Sequence, residues 1–470
     1  MLALRNYQDK KIGVFGLAVA GTATVSALVA GGGVVFAWDD REQSRSAFKG
    51  HISEGKVRLC EPKSWPWAEM DALILSPGIA LTHPAPHYVA ALAKKAGVRI
   101  IGDIELLCEA QPLAQKIAIT GTNGKSTTTS LIGHILKSAG RVAEVGGNLG
   151  TAALTLAPMG SDGCYVLELS SYQLDLTWIA HFNIAMLLNV TPDHIDRHGS
   201  MEGYVAAKAR IFHHQTKQDT ALVNIDDDYS CSVYAELKQT SKARVIGVSI
   251  LHELKEGVFV DKEGLLHDKM IPEHYAVLNL HDIPHLTGRH NWQNAAFAYA
   301  ACKLYGLTER EIEKGLHSFP GLRHRLQLVA TIQGVGFIND SKATNADAAS
   351  HALAAFSHIY WIAGGKPKEG GIGSLTHLFP NITHAFLIGE AEESFARILE
   401  GHVPYTRAHT LANAFALASQ RVFSEHKQGA VVLLSPACAS FDQWKSFEER
   451  GDAFCTLTEQ LLESVILRKR

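Results

Sequence analysis

The chain has 470 residues, a formal net charge of −3 and seven cysteines. This length exceeds one hydrophobic core and predicts two or three domains of about 100–200 residues each. The near balance of charges forces no basic face, so nucleic acid is not an expected partner. The cysteines are scattered and form no C-x-x-C pair, which argues against a disulfide framework or a zinc site. This pattern is typical of a protein in the reducing cytoplasm.

The first part of the chain predicts a βαβ unit. Lys11–Phe15 and Val34–Trp38 have the pattern of strands, and a helix opens between them. Gly16, Ala18 and Gly21 form an incomplete Rossmann fingerprint, because alanine replaces the second glycine, where the backbone must approach a pyrophosphate. A dinucleotide site and a purely structural βαβ unit both fit this pattern.

The same region needs a membrane test. Residues 12–38 carry no charge and would suffice for the helix of about 20 residues that spans a bilayer. Glycines recur along the stretch and favour strand, turn, helix, turn and strand, so we expect no membrane span.

Further on, the strand Leu73–Leu75 stops at Ser76-Pro77-Gly78. A turn at the carboxyl end of a strand is where open α/β sheets bind ligands.

The strongest motif is a phosphate-binding loop. An apolar strand at 116–119 leads into Gly121-Thr122-Asn123-Gly124-Lys125-Ser126-Thr127, and the pattern of a helix follows over 128–136. Backbone N–H groups and the helix N-terminus would bind phosphates, Lys125 would reach the outer phosphates, and the Ser126 hydroxyl would bind Mg²⁺. Position 119 is isoleucine where the common pattern has its first glycine.

Three polar side chains follow this loop at the ends of later elements. Glu168 ends a buried strand, His194 follows the strand at 184–189, and Lys208 lies in the next helix. An acid at the end of a strand downstream of a phosphate loop is the usual partner of Mg²⁺. The region 245–284 is patchy and β-like, and it offers no chemistry.

The last part of the chain predicts a third α/β unit with a binding face. Strands at 335–338, 359–363 and 431–434 each lead into a loop that carries hydroxyls, a lysine or an acid. Because three such loops lie at the same pole of one sheet, they indicate a ligand-binding edge.

Taken in order, these motifs resemble the Mur ligases, the ATP-dependent amide ligases of peptidoglycan precursor synthesis. The phosphate loop has that family's isoleucine-for-glycine form. The further motifs that carry the resemblance cover most of the chain: Glu168–Leu174, Asn189–His194, Ala207–Arg210, Gly288–Asn291 and Asp340–Asn345. Ser76–Ile79, Gly102–Leu106 and Ser435–Asp442 resemble the branch that adds D-glutamate to UDP-N-acetylmuramoyl-L-alanine.

The resemblance implies an α/β fold of three domains. These are a Rossmann-like UDP-binding domain (1–103), a central phosphate-loop ATPase domain with a mostly parallel sheet (104–321) and a C-terminal Rossmann-like domain (322–470). It also implies a reaction through an acyl phosphate, with ATP and two Mg²⁺ ions. By resemblance, the catalytic set is Lys125, Glu168, His194, Lys208 and Arg325, and the metal ligands are Ser126, Glu168, His194 and Lys208. The matching lysine in the family is carbamylated, which turns a cation into an anionic oxygen ligand.

The remaining implied contacts concern the nucleotide and the two substrates. ATP would also contact residues 121–127, Asn294, Arg325 and Asp340. The UDP substrate would contact Leu17, Ala18, Asp39, Arg41, Ser76, Pro77, Gly78, Asn148 and Ser170. D-Glutamate would contact Thr344, Lys368, Ser440 and the backbone near Phe447, although Lys366 is a second candidate for the role of Lys368. Ala18 replaces a hydroxyl residue common at that position, which puts the uracil contact there in doubt.

Other functions stay open at this point. A sister ligase that adds another residue, or a folylpolyglutamate-type ligase, shares the ATPase core. A nucleotide-binding switch has no need of a second metal site, and a nicotinamide oxidoreductase would need the glycine that Ala18 replaces. We expect a cytoplasmic monomer, because no heptad pattern or long exposed apolar face is evident.

Overall fold

The computed structural model describes residues 2–49, 55–148, 150–271, 276–283, 286, 288–367 and 370–467. Contacts within the chain group it into two compact units, Met1–Phe319 and Pro320–Arg470. The predicted domain limits, 1–103, 104–321 and 322–470, stay predictions.

The first unit begins with a five-stranded parallel sheet in the order β3-β2-β1-β4-β5. Its strands are β1 (Lys11–Phe15), β2 (Val34–Trp38), β3 (Val57–Leu59), β4 (Ala72–Leu75) and β5 (Arg99–Ile101). Its helices are α1 (Val19–Ala30), α2 (Glu42–Lys49), α3 (Tyr88–Lys95) and α4 (Asp103–Ala110). The uncharged stretch from 12 to 38 is therefore strand, helix and strand, as predicted. In the described part of the chain, no helix is long and apolar enough to cross a membrane.

The same unit contains a nine-stranded sheet in the order β14-β13-β12-β11-β10-β9-β6-β8-β7. Its strands are β6 (Gln115–Thr120), β7 (Ala143–Gly147), β8 (Cys164–Glu168), β9 (Ile184–Leu187), β10 (Thr220–Asn224), β11 (Arg244–Ser249), β12 (Gly257–Val260), β13 (Leu265–Lys269) and β14 (Ala276–Asn279). Its helices are α5 (Lys125–Ser138), α6 (Ser171–Leu174), α7 (Ile195–His198), α8 (Met201–Ala209), α9 (Asp228–Thr240), α10 (Arg289–Leu304) and α11 (Glu309–His317). The last three strands pair antiparallel, which accounts for the patchy β-like sequence after residue 245.

Strand β6 is the central element of this sheet for function. It pairs in parallel with β8 on one side and β9 on the other. Parallel strands end at the same edge, so the loops after β6, β8 and β9 meet there. All of β8 and β9 is buried, which explains their continuous apolar sequence.

A buried carboxylate also links α4 to the chain after α6. Glu105 is fully buried and accepts hydrogen bonds from the backbone N–H groups of Trp178, Ile179 and Ala180 at 2.9, 2.8 and 3.0 Å. Three donors on one carboxylate satisfy backbone groups that burial would otherwise leave unpaired. The segment 178–180 is thereby fixed to the helix that follows the first sheet.

The second unit is built on a six-stranded sheet in the order β15-β16-β20-β17-β18-β19. Its strands are β15 (Gln327–Ile332), β16 (Val335–Asn339), β17 (Ile359–Gly364), β18 (Ile382–Ile388), β19 (Tyr405–His409) and β20 (Val431–Leu434). Its helices are α12 (Ala346–Ala355), α13 (Glu392–Leu399), α14 (Leu411–Glu425) and α15 (Phe447–Leu467). All pairs are parallel except the β15–β16 hairpin. With three mostly parallel sheets between helices, the predicted α/β fold class is confirmed.

Candidate active site

The loop after β6 has the backbone that a phosphate site requires. Gly124 has φ of +82°, a conformation that favours glycine, and it directly precedes the first residue of α5. A Cβ at this position would lie 2.3 Å from Oδ1 of Asn294. Because Gly124 has no side chain, the backbone N–H groups at the N-terminus of α5 are accessible to a ligand. These groups and the helix dipole favour an anion.

An asparagine of the motif Asn189–His194, for which the sequence predicted no individual role, holds this loop in place. Oδ1 of Asn189, just beyond β9, accepts hydrogen bonds from the backbone N–H groups of Thr122 and Asn123 at 3.1 and 2.8 Å. Nζ of Lys125 donates to the carbonyl oxygens of Gly121 and Thr122 at 3.0 and 2.8 Å. The loop is thus a compact turn that already carries its lysine.

Glu168 lies beside the phosphate loop because β8 pairs with β6, where Ile119 is its register partner. The residue is 2% exposed. Oε1 accepts a hydrogen bond from Nδ2 of Asn148 at 2.7 Å, and Oε2 is buried with no hydrogen-bond partner among the described residues. An unpaired buried carboxylate oxygen is costly, so this atom fits a cation ligand. Ser126, the predicted partner ligand, is 6% exposed in the first turn of α5.

Lys208 projects from α8 to the same loop. It is 2% exposed, and its Nζ donates to the carbonyl oxygen of Gly121 at 2.7 Å. Nζ also lies 4.4 Å from the centre of the Tyr204 ring. Burial, reinforced by the positive charge of Lys125, holds the pKa of Lys208 well below its usual value. A neutral amine is therefore far more accessible here than on an exposed lysine.

His194 lies at the start of α7 in the left-handed conformation, with φ of +54°. Its ring centre lies 5.0 Å from that of Tyr172 and 6.2 Å from that of Tyr204, and its Nε2 lies 3.3 Å from a carboxylate oxygen of Asp193. Burial lowers the pKa of His194, and Lys208 acts in the same direction against the raising effect of Asp193. The neutral imidazole, the form that binds metals, is favoured.

The described residues contain no group of three or more His, Cys, Asp and Glu side chains that could hold a metal ion by themselves. The metal ligands predicted from the sequence do not form such a group, because they combine a hydroxyl, a carboxylate, an imidazole and a modified lysine. The unpaired oxygen of Glu168 and the lowered pKa values of His194 and Lys208 fit that set.

Three other predicted residues, Asn294, Asn148 and Ser170, lie near the phosphate loop or near Glu168. Asn294, predicted near adenine, is 4% exposed; its Oδ1 accepts from Oγ1 of Thr128 at 3.2 Å, and its amide donates to Asn291 at 3.2 Å. Asn148, predicted to contact the UDP substrate, donates to Glu168. Ser170 caps α6 by accepting from the backbone N–H of Gln173.

The predicted uridine-side residues lie after the strands of the first sheet. Asp39, after β2, is 5% exposed and accepts from the backbone N–H groups of Leu17 and Arg41 at 2.8 and 2.9 Å. These bonds and the Arg41 side chain lower the pKa of Asp39 against the opposing effect of burial. Its role in this structure is thus to fix the turn that contains Leu17 and Ala18. Ser76, after β4, donates from Oγ to the carbonyl of Gly16 at 3.1 Å.

One arginine connects this edge with the phosphate-loop sheet. Arg197, in α7, donates to the carbonyl oxygens of Gly78 and Pro77 at 3.0 and 3.3 Å. Its guanidinium lies 4.5 Å from the centre of the Tyr172 ring. Arg197 was not predicted from the sequence, although it lies three residues from His194. It places the turn predicted to bind the UDP substrate next to the segment that carries His194.

In the second unit, Asp340, Thr344 and Ser440 follow the carboxyl ends of strands, and Arg325 precedes β15. Asp340 follows β16 and is buried; its Oδ2 accepts from Oγ of Ser435 at 2.8 Å and its Oδ1 from the backbone N–H of Leu326 at 3.2 Å. Burial raises the pKa of Asp340 to about 7, against the lowering effects of Ser435 and of Arg325. Arg325 is half-buried in the segment before β15.

The predicted acceptor residues belong to the same edge. Thr344 is in the loop after β16, and Ser440, 2% exposed, is in the loop after β20. The backbone carbonyl of Phe447, the first residue of α15, accepts from Oγ of Ser341 at 2.8 Å. Lys368 lies outside the described residues. The other candidate, Lys366, is exposed and donates its backbone N–H to the carbonyl of Ala439 at 2.9 Å.

This fold and loop define a phosphate-loop α/β protein whose candidate nucleotide site lies at the edge of a mostly parallel sheet. The family model described as "Mur ligase middle domain" matches residues 119–302, and "Mur ligase, glutamate ligase domain" matches residues 324–438. The chain belongs to the Mur ligase family.

Named relatives and solved structures agree with this membership. A UDP-N-acetylmuramoylalanine–D-glutamate ligase of Paramagnetospirillum magneticum is 49% identical and covers 98% of this chain and of its own length. One of Phenylobacterium zucineum is 45% identical, covering 98% of this chain and 99% of its own. Among solved structures, MurC of Thermotoga maritima is similar with a TM-score of 0.58, 14% identity and coverage of 96% and 99%. MurF of Acinetobacter baumannii has a TM-score of 0.56, 19% identity and coverage of 98% and 93%. At these identities the two structures support the fold alone.

Proposed function

We propose that this chain joins D-glutamate to UDP-N-acetylmuramoyl-L-alanine through an amide bond, with ATP as the source of energy. The observation that carries the proposal is the likeness over 98% of the chain to a relative that bears this function in its name. The geometry of the phosphate loop, with Glu168 and Lys208 beside it, supports an enzyme of this kind.

The chemistry begins with a poor acyl donor, because a free carboxylate has no good leaving group. An oxygen of the alanyl carboxylate attacks the γ-phosphorus of ATP, the bond to the β-phosphate bridging oxygen breaks, and ADP leaves. The amine of D-glutamate then attacks the acyl carbon, inorganic phosphate leaves, and the amine loses a proton. Catalysis of such steps rests on positioning and on neutralising crowded oxygens.

Residues of the first unit position the phosphates of ATP. Backbone N–H groups from Gly121 to Thr127 and the N-terminus of α5 bind the phosphates, and Lys125 exchanges its loop carbonyls for phosphate oxygens. Asn189 keeps the turn in shape through its two backbone hydrogen bonds. Asn294 lies against Gly124, where it borders the nucleotide.

Mg²⁺, which the family uses with ATP, would neutralise phosphate oxygens when bound. Ser126 and Glu168 would hold one ion, and His194 with carbamylated Lys208 would hold a second. Carbamate formation needs the neutral amine of Lys208, bonds its nitrogen to the carbon of CO₂ and releases a proton. A lysine with the reference pKa of about 10.4 is almost fully protonated at neutral pH, so the lowered pKa of Lys208 supports this role.

The substrates occupy the strand-end loops of their respective sheets in this proposal. Leu17, Ala18, Arg41 and the turn at 76–78 bind the uridine diphosphate, and Asp39 holds the turn that contains Leu17 and Ala18. Asn148 and Ser170 border the sugar-peptide end. Thr344, Ser440 and the backbone near Phe447 receive D-glutamate, together with Lys368 or Lys366. The nucleotide contacts of Arg325 and Asp340 stay a prediction. We also propose a monomer that works in the cytoplasm, where nucleotide-linked precursors and ATP are available.

The test is phosphate release from ATP and Mg²⁺ with UDP-N-acetylmuramoyl-L-alanine and a panel of amines. The panel contains D-glutamate, L-glutamate, L-alanine, L-lysine and meso-diaminopimelate. We expect release with D-glutamate alone. Release with another amine would assign the chain to a sister ligase activity, and no release with any amine would refute the proposed reaction.

A further inference from the structure

A fully buried arginine lies beneath the proposed acceptor loops of the second unit. Arg450, in the first turn of α15, has no exposed surface. Nε donates to Oγ of Ser341 at 2.9 Å, and Nη2 donates to the carbonyl oxygens of Ser341 and Cys438 at 2.9 and 3.0 Å. One guanidinium therefore binds the loop after β16 and the loop after β20 at once.

The third adjacent loop closes around the same group. A Cβ built on Gly365, after β17, would lie 3.1 Å from Nη1 of Arg450 and 2.4 Å from the carbonyl oxygen of Ala439. Gly365 has φ of +132°, so its backbone also favours glycine. The backbone N–H of Lys366 donates to Ala439 at 2.9 Å. Strands β16, β20 and β17 are neighbours in the sheet, and Arg450 lies beneath the loops of all three.

Among the described residues, no carboxylate forms a direct ion pair with this arginine, and Nη1 is buried without a hydrogen-bond partner. Burial lowers the pKa of Arg450 to about 10, against raising effects of Cys438 and Asp442, so the group keeps its charge at neutral pH. A buried cation without a directly paired carboxylate destabilises a fold and calls for a compensating role.

We propose that Arg450 is a positioning and specificity-determining residue for the acceptor amino acid. Its fork binds two of the loops that would receive D-glutamate and lies against the third, and its charge creates a positive potential beneath them that favours an acceptor with an anionic side chain. The inference rests on the proposed function. A neutral side chain could also have made the polar contacts to these backbone oxygens. The proposed role explains why a charged side chain is buried here instead.

The experiment compares Arg450→Gln, Arg450→Lys and the wild type in phosphate release at saturating ATP and UDP-N-acetylmuramoyl-L-alanine. D-Glutamate and D-glutamine are the two acceptors, since they differ mainly in the charge of the side chain. For Arg450→Gln we expect KM for D-glutamate to rise tenfold or more, with KM for ATP within threefold of wild type. The preference for D-glutamate over D-glutamine, as the ratio of kcat/KM values, should fall at least fivefold.

Arg450→Lys separates the two parts of the proposal, because it keeps the charge and loses the planar fork. We expect KM for D-glutamate to rise about fivefold while the preference for the charged acceptor is retained. Arg421→Gln removes an exposed charge in the same unit, paired with Glu425, and should leave both quantities unchanged.

Several results would overturn the proposal. A purely structural role would lower kcat/KM for both acceptors equally in Arg450→Gln and leave the preference intact. Should that variant fail to fold by circular dichroism, an unchanged KM for D-glutamate in Arg450→Lys would refute the positioning role. A wild-type protein that releases no phosphate with D-glutamate would refute the proposed function instead, and the same charged-against-neutral comparison would then use the acceptor it does take.

Discussion

Replacing Asn148 by alanine removes a hydrogen bond that holds the carboxylate of Glu168. Nδ2 of Asn148 lies 2.7 Å from Oε1, while Oε2 is buried and has no partner in the described part of the chain. A hydrogen bond to a charged group contributes about 1.5–3 kcal/mol. Asn148 itself is exposed, so water can replace part of the bond, and we take about 1–2 kcal/mol. At 1.4 kcal/mol per factor of ten, this corresponds to a loss of roughly 5- to 30-fold.

The loss should fall on metal binding, because groups that orient a ligand typically change metal affinity by about 10- to 100-fold when removed. We expect the Mg²⁺ concentration at half-maximal rate to rise about 5- to 30-fold in Asn148→Ala, and kcat to recover to within about threefold at saturating Mg²⁺. The assay is phosphate release over a Mg²⁺ titration. Asn413→Ala, at an exposed position on α14, is the control and should match the wild type.

Two roles are possible for Asn148, the orientation of Glu168 and a contact with the UDP substrate, and this assay distinguishes them. If Asn148 contacts the UDP substrate, KM for that substrate rises and the Mg²⁺ dependence does not move. An unchanged Mg²⁺ half-saturation would therefore refute the reasoning from the hydrogen bond to Glu168. It would support the contact predicted from the sequence.

Two further predictions concern buried titratable groups. Lys208→Ala should lose most activity and Lys208→Arg should not restore it, because arginine stays protonated and cannot form a carbamate; phosphate release measures this, and activity retained in the arginine variant would contradict the carbamate role. Asp340 has a pKa raised to about 7, so the folded chain keeps a proton that the unfolded chain loses near pH 4. Its contribution to the free energy of unfolding should fall by up to about 1.4 kcal/mol per pH unit between pH 5 and 7 and then level off. Urea unfolding of Asp340→Asn against wild type checks this, and a difference that does not change with pH would exclude it.

The sequence predicted the features that depend on local pattern. The strands at 11–15, 34–38 and 431–434 have the predicted limits, because each is a short apolar run bounded by turn residues. The phosphate loop was also recognisable, since its glycines and lysine are contiguous. The mostly parallel sheets followed from alternating strands and helices.

The partners of the site residues were not predictable in the same way. Asn189 binds the phosphate loop from 66 residues away, and Arg450 binds Ser341 across 109 residues. An arginine in a helix is ordinarily an exposed residue, so nothing in the sequence distinguished Arg450. Asp39 was predicted to contact the UDP substrate, but the sequence could not show that the backbone N–H groups of Leu17 and Arg41 donate to its carboxylate oxygens.

The carboxylate of Glu105 limits how this chain can be divided or recombined. A chimera that replaces α4 by an unrelated helix would remove the acceptor of the backbone N–H groups of Trp178, Ile179 and Ala180. Each lost hydrogen bond costs about 0.5–1.5 kcal/mol, so the summed loss would be a sizeable fraction of a domain's stability. Exchanging the first sheet between relatives should therefore succeed only when α4 and the segment 178–180 come from the same parent.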